Sequence, residues 1–228
     1  MAHVLILPDG MRRYSEQRSV SLDHAYALGG TKLQRAAQWL FFEHGFQEVT
    51  FHCFALYNQQ RPLQELAPLV HNGIETLITL IDSEWMRRHS IALRVVGALD
   101  QLSERFPDLQ KIVHFSQQRH YRHDGRTLNI LAAYAGSWDF DQAIRSCETA
   151  GKTATFQNVT RFLQFQRPVD VVIRSGQAFR QVRLSDSLWP VDQAQMFGLP
   201  TFWPAVRKSQ LVRIVDHWQT LEGNRLHV

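Results

Sequence analysis

Short apolar runs and longer helical stripes alternate along the chain. His3–Leu7 is an apolar run closed by Pro8-Asp9-Gly10, which predicts a buried strand and a turn. From Thr31 to Phe46, Leu33, Ala36, Ala37, Leu40 and Phe41 recur at helical spacing. Val49–Leu56 is rich in β-formers and predicts a second strand. Between Leu63 and His89 the stripe Leu66, Val70, Ile74, Leu77, Ile81, Trp85 predicts the longest helix, roughly 40 Å if unbroken. Pro68 is an alternative first turn for it, and Gly73 a place to bend. Ile91–Val96, Thr127–Tyr134 and Val169–Arg174 predict three further strands; Asp100–Gln118, Asp139–Ala150 and Val206–Leu221 predict helices. Strands separated by helices predict an α/β fold: a single domain over residues 1–228, with a mainly parallel sheet flanked by helices.

Composition narrows the class. With 44% hydrophobic and 20% charged residues, the 228-residue chain is globular rather than disordered. Two cysteines exclude a disulfide scaffold and a four-cysteine zinc site, and suit the cytoplasm. The opening MAHVLILPDG lacks the pattern of a secretory signal, and no apolar run predicts a transmembrane segment. The net charge of +4 suits an anionic ligand. Basic residues number 25 against 21 acidic ones, too even a balance for a nucleic-acid stripe.

In such a sheet, ligands bind beyond the carboxyl ends of the strands. Asp9, Gly10, Arg12 and Arg13 follow the first strand, Asn58 and Arg61 the second, and Arg174, Ser175, Gly176, Arg180 and Arg183 the fifth. Arginine forks match phosphate oxygens, and a carboxylate among them suits a bridging Mg²⁺. The pattern predicts a phosphate or diphosphate site with a metal; the plainer alternative is helix starts with local salt bridges. Gly29-Gly30-Thr31-Lys32 is part of a phosphate loop, but more simply the start of a helix. His120 and His123 lack further zinc ligands nearby. His52 is either a core residue or a base facing the site, and Cys53 reads as packing.

These residues also resemble a family, the cis-prenyltransferases, which includes undecaprenyl diphosphate synthase. Asp9-Gly10-Met11-Arg12-Arg13-Tyr14 resembles its D-G-N-G-R-W, and Cys53 through Pro62 its A-F-S-x-E-N-W-x-R-P. Leu128 through Ser137 is similar to L-N-I-A-x-N-Y-G-G-R, and Asp170 through Gln177 to D-L-x-I-R-T-G-G. Arg183-Leu184-Ser185 and Trp203-Pro204 match later blocks. The resemblance implies the family fold, Mg²⁺ as cofactor, a homodimer and prenyl diphosphate substrates. It implies that Asp9 acts through Mg²⁺ on an allylic diphosphate, held by Gly10 and Arg13 with Arg61 nearby. It implies that Arg174, Ser185 and either Arg180 or Arg183 hold a second diphosphate. Arg12 and Asn58 join this diphosphate-binding set.

The departures are as informative. The motif asparagine is Met11, the histidine of G-H-x-x-G is Ala27, the serine of A-F-S is Ala55 and its glutamate Tyr57. The late metal-sharing glutamate aligns with Gln195, a weak metal ligand. Diphosphate anchors remain while groups for proton handling and metal sharing change. The expected activity is therefore irregular: ionising an allylic diphosphate and coupling, cyclising or quenching the cation, as in cyclolavandulyl diphosphate synthase or tuberculosinol synthase. Ordinary chain elongation with isopentenyl diphosphate is the alternative, and a non-catalytic partner subunit a third. The helices Thr31–Phe46 and Leu63–His89 are suited to lining a prenyl tunnel, with Trp39, Phe41 and Phe42 as candidates for limiting its length; the plainer reading is that these apolar stripes are ordinary core against the sheet.

Overall fold

A computed structural model describes residues 2–109, 125–176, 191 and 193–225. In chain order the elements are β1 (His3–Leu7), α1 (Met11–Arg18), α2 (Leu22–Phe42), β2 (Glu48–Ala55), α3 (Leu63–Asp82), α4 (Glu84–Arg88) and β3 (Ala92–Val96). Then follow α5 (Leu99–Ser103), β4 (Thr127–Tyr134), α6 (Gly136–Thr149), α7 (Phe156–Val159), β5 (Val171–Ser175), β6 (Gln195–Leu199) and α8 (Lys208–Arg225). Short 3-10 turns span Leu56–Gln60, Thr160–Phe162 and Trp203–Ala205.

The described strands form one parallel sheet in the order β3-β4-β2-β1-β5-β6. Both of its faces are covered. Val4 and Ile6 enter the larger core, with Leu33, Leu40, Leu66 and Leu77 from α2 and α3. Leu5 and Leu7 enter a second core with Tyr134, Phe165 and Val172. That two-sided burial is why β1 reads as a continuous apolar run rather than an alternating one. β1 lies between β2, where the chain goes next, and β5, which leads outward to β6. The loops after β1 and β5 therefore leave in opposite directions and open a crevice at the carboxyl ends of the strands. At the other end of the sheet a buried polar network ties the strands together. His3 donates from Nδ1 to the Pro168 carbonyl (2.9 Å) and accepts at Nε2 from the Thr50 hydroxyl (2.7 Å). Asn129 and Arg167 both donate to Glu48, at 2.6 and 3.1 Å.

Several predicted boundaries move. The helix expected over Thr31–Phe46 begins at Leu22, where the Ser21 side chain caps it by accepting from the His24 N–H at 3.1 Å. Gly29 and Gly30 thus lie inside a helix and do not start one. α1 was not visible as a stripe because none of its residues is buried. The helix predicted over Leu63–His89 begins at Leu63, ahead of Pro68, and breaks at Ser83, whose backbone is extended (φ −67°, ψ 131°). Its longer part, 20 residues, spans about 30 Å rather than 40. The helix expected over Asp100–Gln118 is interrupted after Ser103; residues 107–109 are helical again, and those from 110 lie outside the described ones. β6 is an unpredicted sixth strand: five residues, one of them glycine, with Met196 exposed, give little apolar signal. Among the described residues, no helix is long and apolar enough to cross a membrane.

Candidate active site

Three strand ends converge on Asp9. Its N–H donates to the Ser175 hydroxyl at 2.9 Å, and that hydroxyl donates back to the Asp9 carbonyl at 3.0 Å. The Trp203 N–H donates to the same carbonyl at 3.0 Å, which brings in the segment after β6. The Gly10 N–H then caps the carboxylate, at 2.6 Å from Oδ1. Gly10 has φ +99°, and a Cβ there would lie 2.5 Å from Phe202 Cδ1, so the turn admits no side chain.

Two guanidinium groups hold the carboxylate. Arg174 Nη2 lies 3.0 Å from Oδ2, and Arg13 Nη2 lies 3.3 Å from Oδ1. Arg13 also donates to the Gly176 carbonyl at 2.9 Å and packs over the Phe202 ring at 5.1 Å. The side chain of Arg174 is 14% exposed, against 35% for Asp9 and 48% for Arg13. Arg174 is therefore the fixed wall, while the other two face open space. Part-exposed ion pairs of this kind contribute about 0–1 kcal/mol, so exchanging Asp9 for an incoming anion costs little.

Across from them, Arg61 donates to Asn58 Oδ1 at 2.7 Å and to the Tyr26 hydroxyl at 3.4 Å. Arg12 pairs with Glu65 at 3.0 Å. Asp9, Gly10, Arg12, Arg13, Asn58, Arg61 and Arg174 all line one cleft of about 530 Å³. Its lining holds four arginines against two carboxylates, Asp9 and Glu16, and so favours an anion. A second cavity of about 110 Å³ adjoins it, walled by Leu33, Phe54, Val70, Leu77 and Ile130 among others. Pro8, Met11, Tyr26, Cys53 and Leu69 belong to both walls and form a neck between charged and apolar space.

Burial sets the protonation of the neck. It pushes the Cys53 thiol up to about 12, so no thiolate forms near neutral pH. It raises Tyr26 as well, against the pull of Arg61, which keeps the phenol neutral. His52 lines the cleft, and burial draws its ring down to about 4, with the Tyr134 carbonyl opposing and Arg174 reinforcing. His52 is therefore a neutral imidazole at working pH.

The remaining predicted residues are placed differently. Arg180, Arg183 and Ser185, like His120 and His123, lie outside the described residues. Gln195 is not brought to Asp9 within the chain. It pairs with Val171 at the start of β5, three residues (roughly 10 Å) before the position of Arg174, and its amide donates to Glu222 at 2.7 Å. Trp39, Phe41 and Phe42 line neither cavity: the first two are core residues, and Phe42 is 40% exposed against Trp85 and His89. The face of α2 that meets the pocket is Tyr26, Gly29, Gly30 and Leu33, an i, i+3, i+4, i+7 set one end earlier in the helix. Sequence reasoning missed Tyr26 and gave Met11 no place in a wall. A helix started from the Ser21 cap would have shown that set. Ser175 was noted beside the rim, but its clamp on the Asp9 backbone depends on strand register and has no sequence signal.

A family model described as putative undecaprenyl diphosphate synthase matches residues 7–225. The chain is 31% identical to the farnesyl-diphosphate-specific ditrans,polycis-undecaprenyl-diphosphate synthase of Photorhabdus laumondii, over 89% of this chain and 80% of that one. It is 27% identical to the GGDP-specific tritrans,polycis-undecaprenyl-diphosphate synthase of Sulfolobus acidocaldarius, over 97% and 86%. In fold it is similar to lavandulyl diphosphate synthase from Lavandula x intermedia, solved with dimethylallyl diphosphate. That match has a TM-score of 0.79 at 19% identity and covers 95% of this chain and 94% of the other. A probable undecaprenyl diphosphate synthase from Campylobacter jejuni gives 0.75 at 19% identity, covering 96% and 95%.

Proposed function

The chain belongs to the cis-prenyltransferase family, that of the undecaprenyl diphosphate synthases, and from that membership we propose that it ionises an allylic prenyl diphosphate and directs the cation to irregular coupling, cyclisation or quenching. It is an enzyme of a family that acts on isoprenoid diphosphates. The observation that carries the proposal is Asp9 held between Arg13 and Arg174 where a charged cleft narrows into an apolar pocket.

In this reading the diphosphate takes the guanidinium groups from Asp9, with Arg61 and Arg12 on the facing wall. The allylic C–O bond breaks, and its electron pair stays on the diphosphate. Charge grows on oxygens that the arginine forks already face, which lowers the barrier without reorganisation. The prenyl tail lies in the apolar pocket, away from water. Gly10 and Ser175 act on Asp9 itself, fixing its carboxylate and backbone. Arg180 or Arg183, with Ser185, are proposed for a second diphosphate on the resemblance alone.

A Mg²⁺ ion fits this site only with substrate. Among the described residues, no three His, Cys, Asp or Glu side chains group as ligands, and Asp9 brings one carboxylate. Asp9 would hold the ion together with diphosphate oxygens, and the ion would supply charge neutralisation on the leaving group. Gln195 is not proposed as a ligand.

The irregular outcome is supported by what surrounds this cleft. Met11 occupies the neck where the family has an amide, and Ala55 and Tyr57 line the cleft where it has serine and glutamate. Chain elongation with isopentenyl diphosphate is the second reading, favoured by the undecaprenyl products named for the relatives in sequence. We also propose a cytoplasmic location, supported by the free thiols of Cys53 and Cys147, and a homodimer, on family membership.

Mass spectrometry of products tests the reading. Purified protein with Mg²⁺ meets dimethylallyl, geranyl, farnesyl and geranylgeranyl diphosphates, each with and without isopentenyl diphosphate. Products from an allylic diphosphate alone are expected. Products that need isopentenyl diphosphate and grow by five carbons would replace the proposal with elongation.

A further inference from the structure

A glycine gives the apolar pocket its room. α3 turns Leu66, Val70 and Leu77 into the core, each of them buried. Gly73 stands three residues after Val70 and four before Leu77, so it shares their face. Yet Gly73 is exposed and lines the pocket, and a Cβ built on it would meet nothing within 4 Å. The stripe of α3 thus has a gap where a core side chain would stand, and the gap opens into the cavity of about 110 Å³. The backbone there is ordinary helix without a positive φ, so the conformation does not call for glycine. Glycine is also among the worst residues for a helix interior. The neighbouring pocket glycine on α2 differs. A Cβ on Gly30 would run into the Thr76 hydroxyl, so Gly30 serves the packing of α2 on α3. Asn72 holds the two helices at that spacing: its amide donates to Asp23 Oδ1 on α2 and to the Pro68 carbonyl, both at 2.8 Å. The gap beside it is therefore framed rather than collapsed.

Resting on the reading of an allylic diphosphate enzyme, we infer that Gly73 is a specificity-determining residue: the room left by its missing side chain takes the second isoprene unit of the donor and makes a geranyl-length diphosphate the best substrate. With the diphosphate at Asp9, the first isoprene unit passes the neck formed by Pro8, Met11, Tyr26, Cys53 and Leu69. The pocket beyond must hold the rest. An apolar cavity of about 150 Å³ takes one benzene, a six-carbon ring. The pocket, at about 110 Å³, matches one further five-carbon unit and not two. A dimethylallyl group would stop at the neck and leave the pocket unused. A farnesyl group would bring a third unit for which there is no room. Apolar burial favours binding in proportion to the area taken from water, so this selection shows in KM.

The test measures kcat and KM for the consumption of dimethylallyl, geranyl, farnesyl and geranylgeranyl diphosphates with Mg²⁺, with and without isopentenyl diphosphate, beside melting curves. The wild type is expected to give geranyl diphosphate the highest kcat/KM, roughly tenfold or more above dimethylallyl and farnesyl diphosphates. Gly73→Leu, which fills the gap, should lower the geranyl-to-dimethylallyl ratio of kcat/KM roughly tenfold or more, chiefly through KM, and melt at or above the wild-type temperature. Gly73→Ala adds a methyl that meets nothing. It should lower the ratio less, about threefold, and raise the melting temperature by about 2–4 °C, because alanine suits a helix better. Dimethylallyl diphosphate, which does not reach the gap, should react alike in all three proteins. A wild type that prefers a shorter or a longer donor overturns the geranyl-length assignment and leaves the proposed function intact. A ratio unmoved in Gly73→Leu, or in Gly73→Ala should the leucine variant not fold, overturns the role of Gly73 in the same way. A Gly73→Ala variant that melts below the wild type shows the position to be filled, and overturns that role too. A wild type that consumes no allylic diphosphate under any condition overturns the proposed function and, with it, this inference.

Discussion

In the proposed function, the Asp9 side chain both takes part in the chemistry and holds a turn. The second task is shared with Ser175 and Trp203, which hold the Asp9 backbone without its carboxylate. Asp9→Ala should therefore keep the fold while turnover falls by roughly a hundredfold or more, the scale of losing a group that acts on transition-state charge. Steady-state assays with matched melting curves check this, and a near wild-type rate would remove Asp9 from the mechanism. Gly10→Ala should lower stability, because φ +99° and the nearby Phe202 ring leave its methyl no room. A loss of about 1–3 kcal/mol in denaturant unfolding is expected. His52 sets a pH dependence. Its ring titrates near 6.5 when unfolded and is drawn down to about 4 when folded, so between these values the unfolded chain binds a proton that the folded chain does not. Its share of stability is complete above about 6.5 and is lost as pH falls toward 4. The buried His3 acts in the same direction. Urea midpoints at pH 7.5 and 4.5 should converge in His52→Phe relative to wild type; equal slopes in both proteins would contradict the assignment.

Helices carry the site at the next scale, and their starts matter more than their stripes. α2 begins at a serine cap, and its first three turns supply Tyr26, Gly29, Gly30 and Leu33 to the pocket. Ser21→Ala should cost about 1 kcal/mol, seen as a lower melting temperature, because one helix-end N–H loses its acceptor. The strands were the legible part of this fold. β1, β2, β4 and β5 bury nearly every residue, and a run of apolar side chains marks them within two residues of their ends. The helix starts were not legible, because polar first turns such as Leu22-Asp23-His24 carry no stripe. The site divides likewise. Asp9, Arg13, Arg61 and Arg174 follow strands and were legible by position, and they do share one cleft. Gln195 was misplaced because an alignment fixes order along the chain but not the end of the sheet at which a residue stands.

Across the whole molecule the charged cleft is a local excess on a chain of modest net charge, +4. Four arginines around about 530 Å³ attract a diphosphate over several ångströms. Raising NaCl from 50 to 500 mM at fixed Mg²⁺ should therefore raise KM several-fold and leave kcat unchanged, as the screening length shrinks below the width of the site. A kcat that falls in step would mean that salt reaches the chemistry itself.

The placing of β1 between β2 and β5 has a consequence for how the protein is made. Val4 pairs with Val171, and Asp9 leans on Ser175 and Trp203. β1 thus leaves the ribosome before both of its sheet neighbours and is completed only once β5 is made. At synthesis rates of about 5–20 residues per second, the apolar segment His3–Leu7 waits roughly 10–30 s for its second neighbour. Until then one edge of β1 is open to the wrong partner, and the Asp9 carboxylate lacks Arg174. The Asp9 turn is the earliest part of the candidate site to be translated and among the latest to take shape.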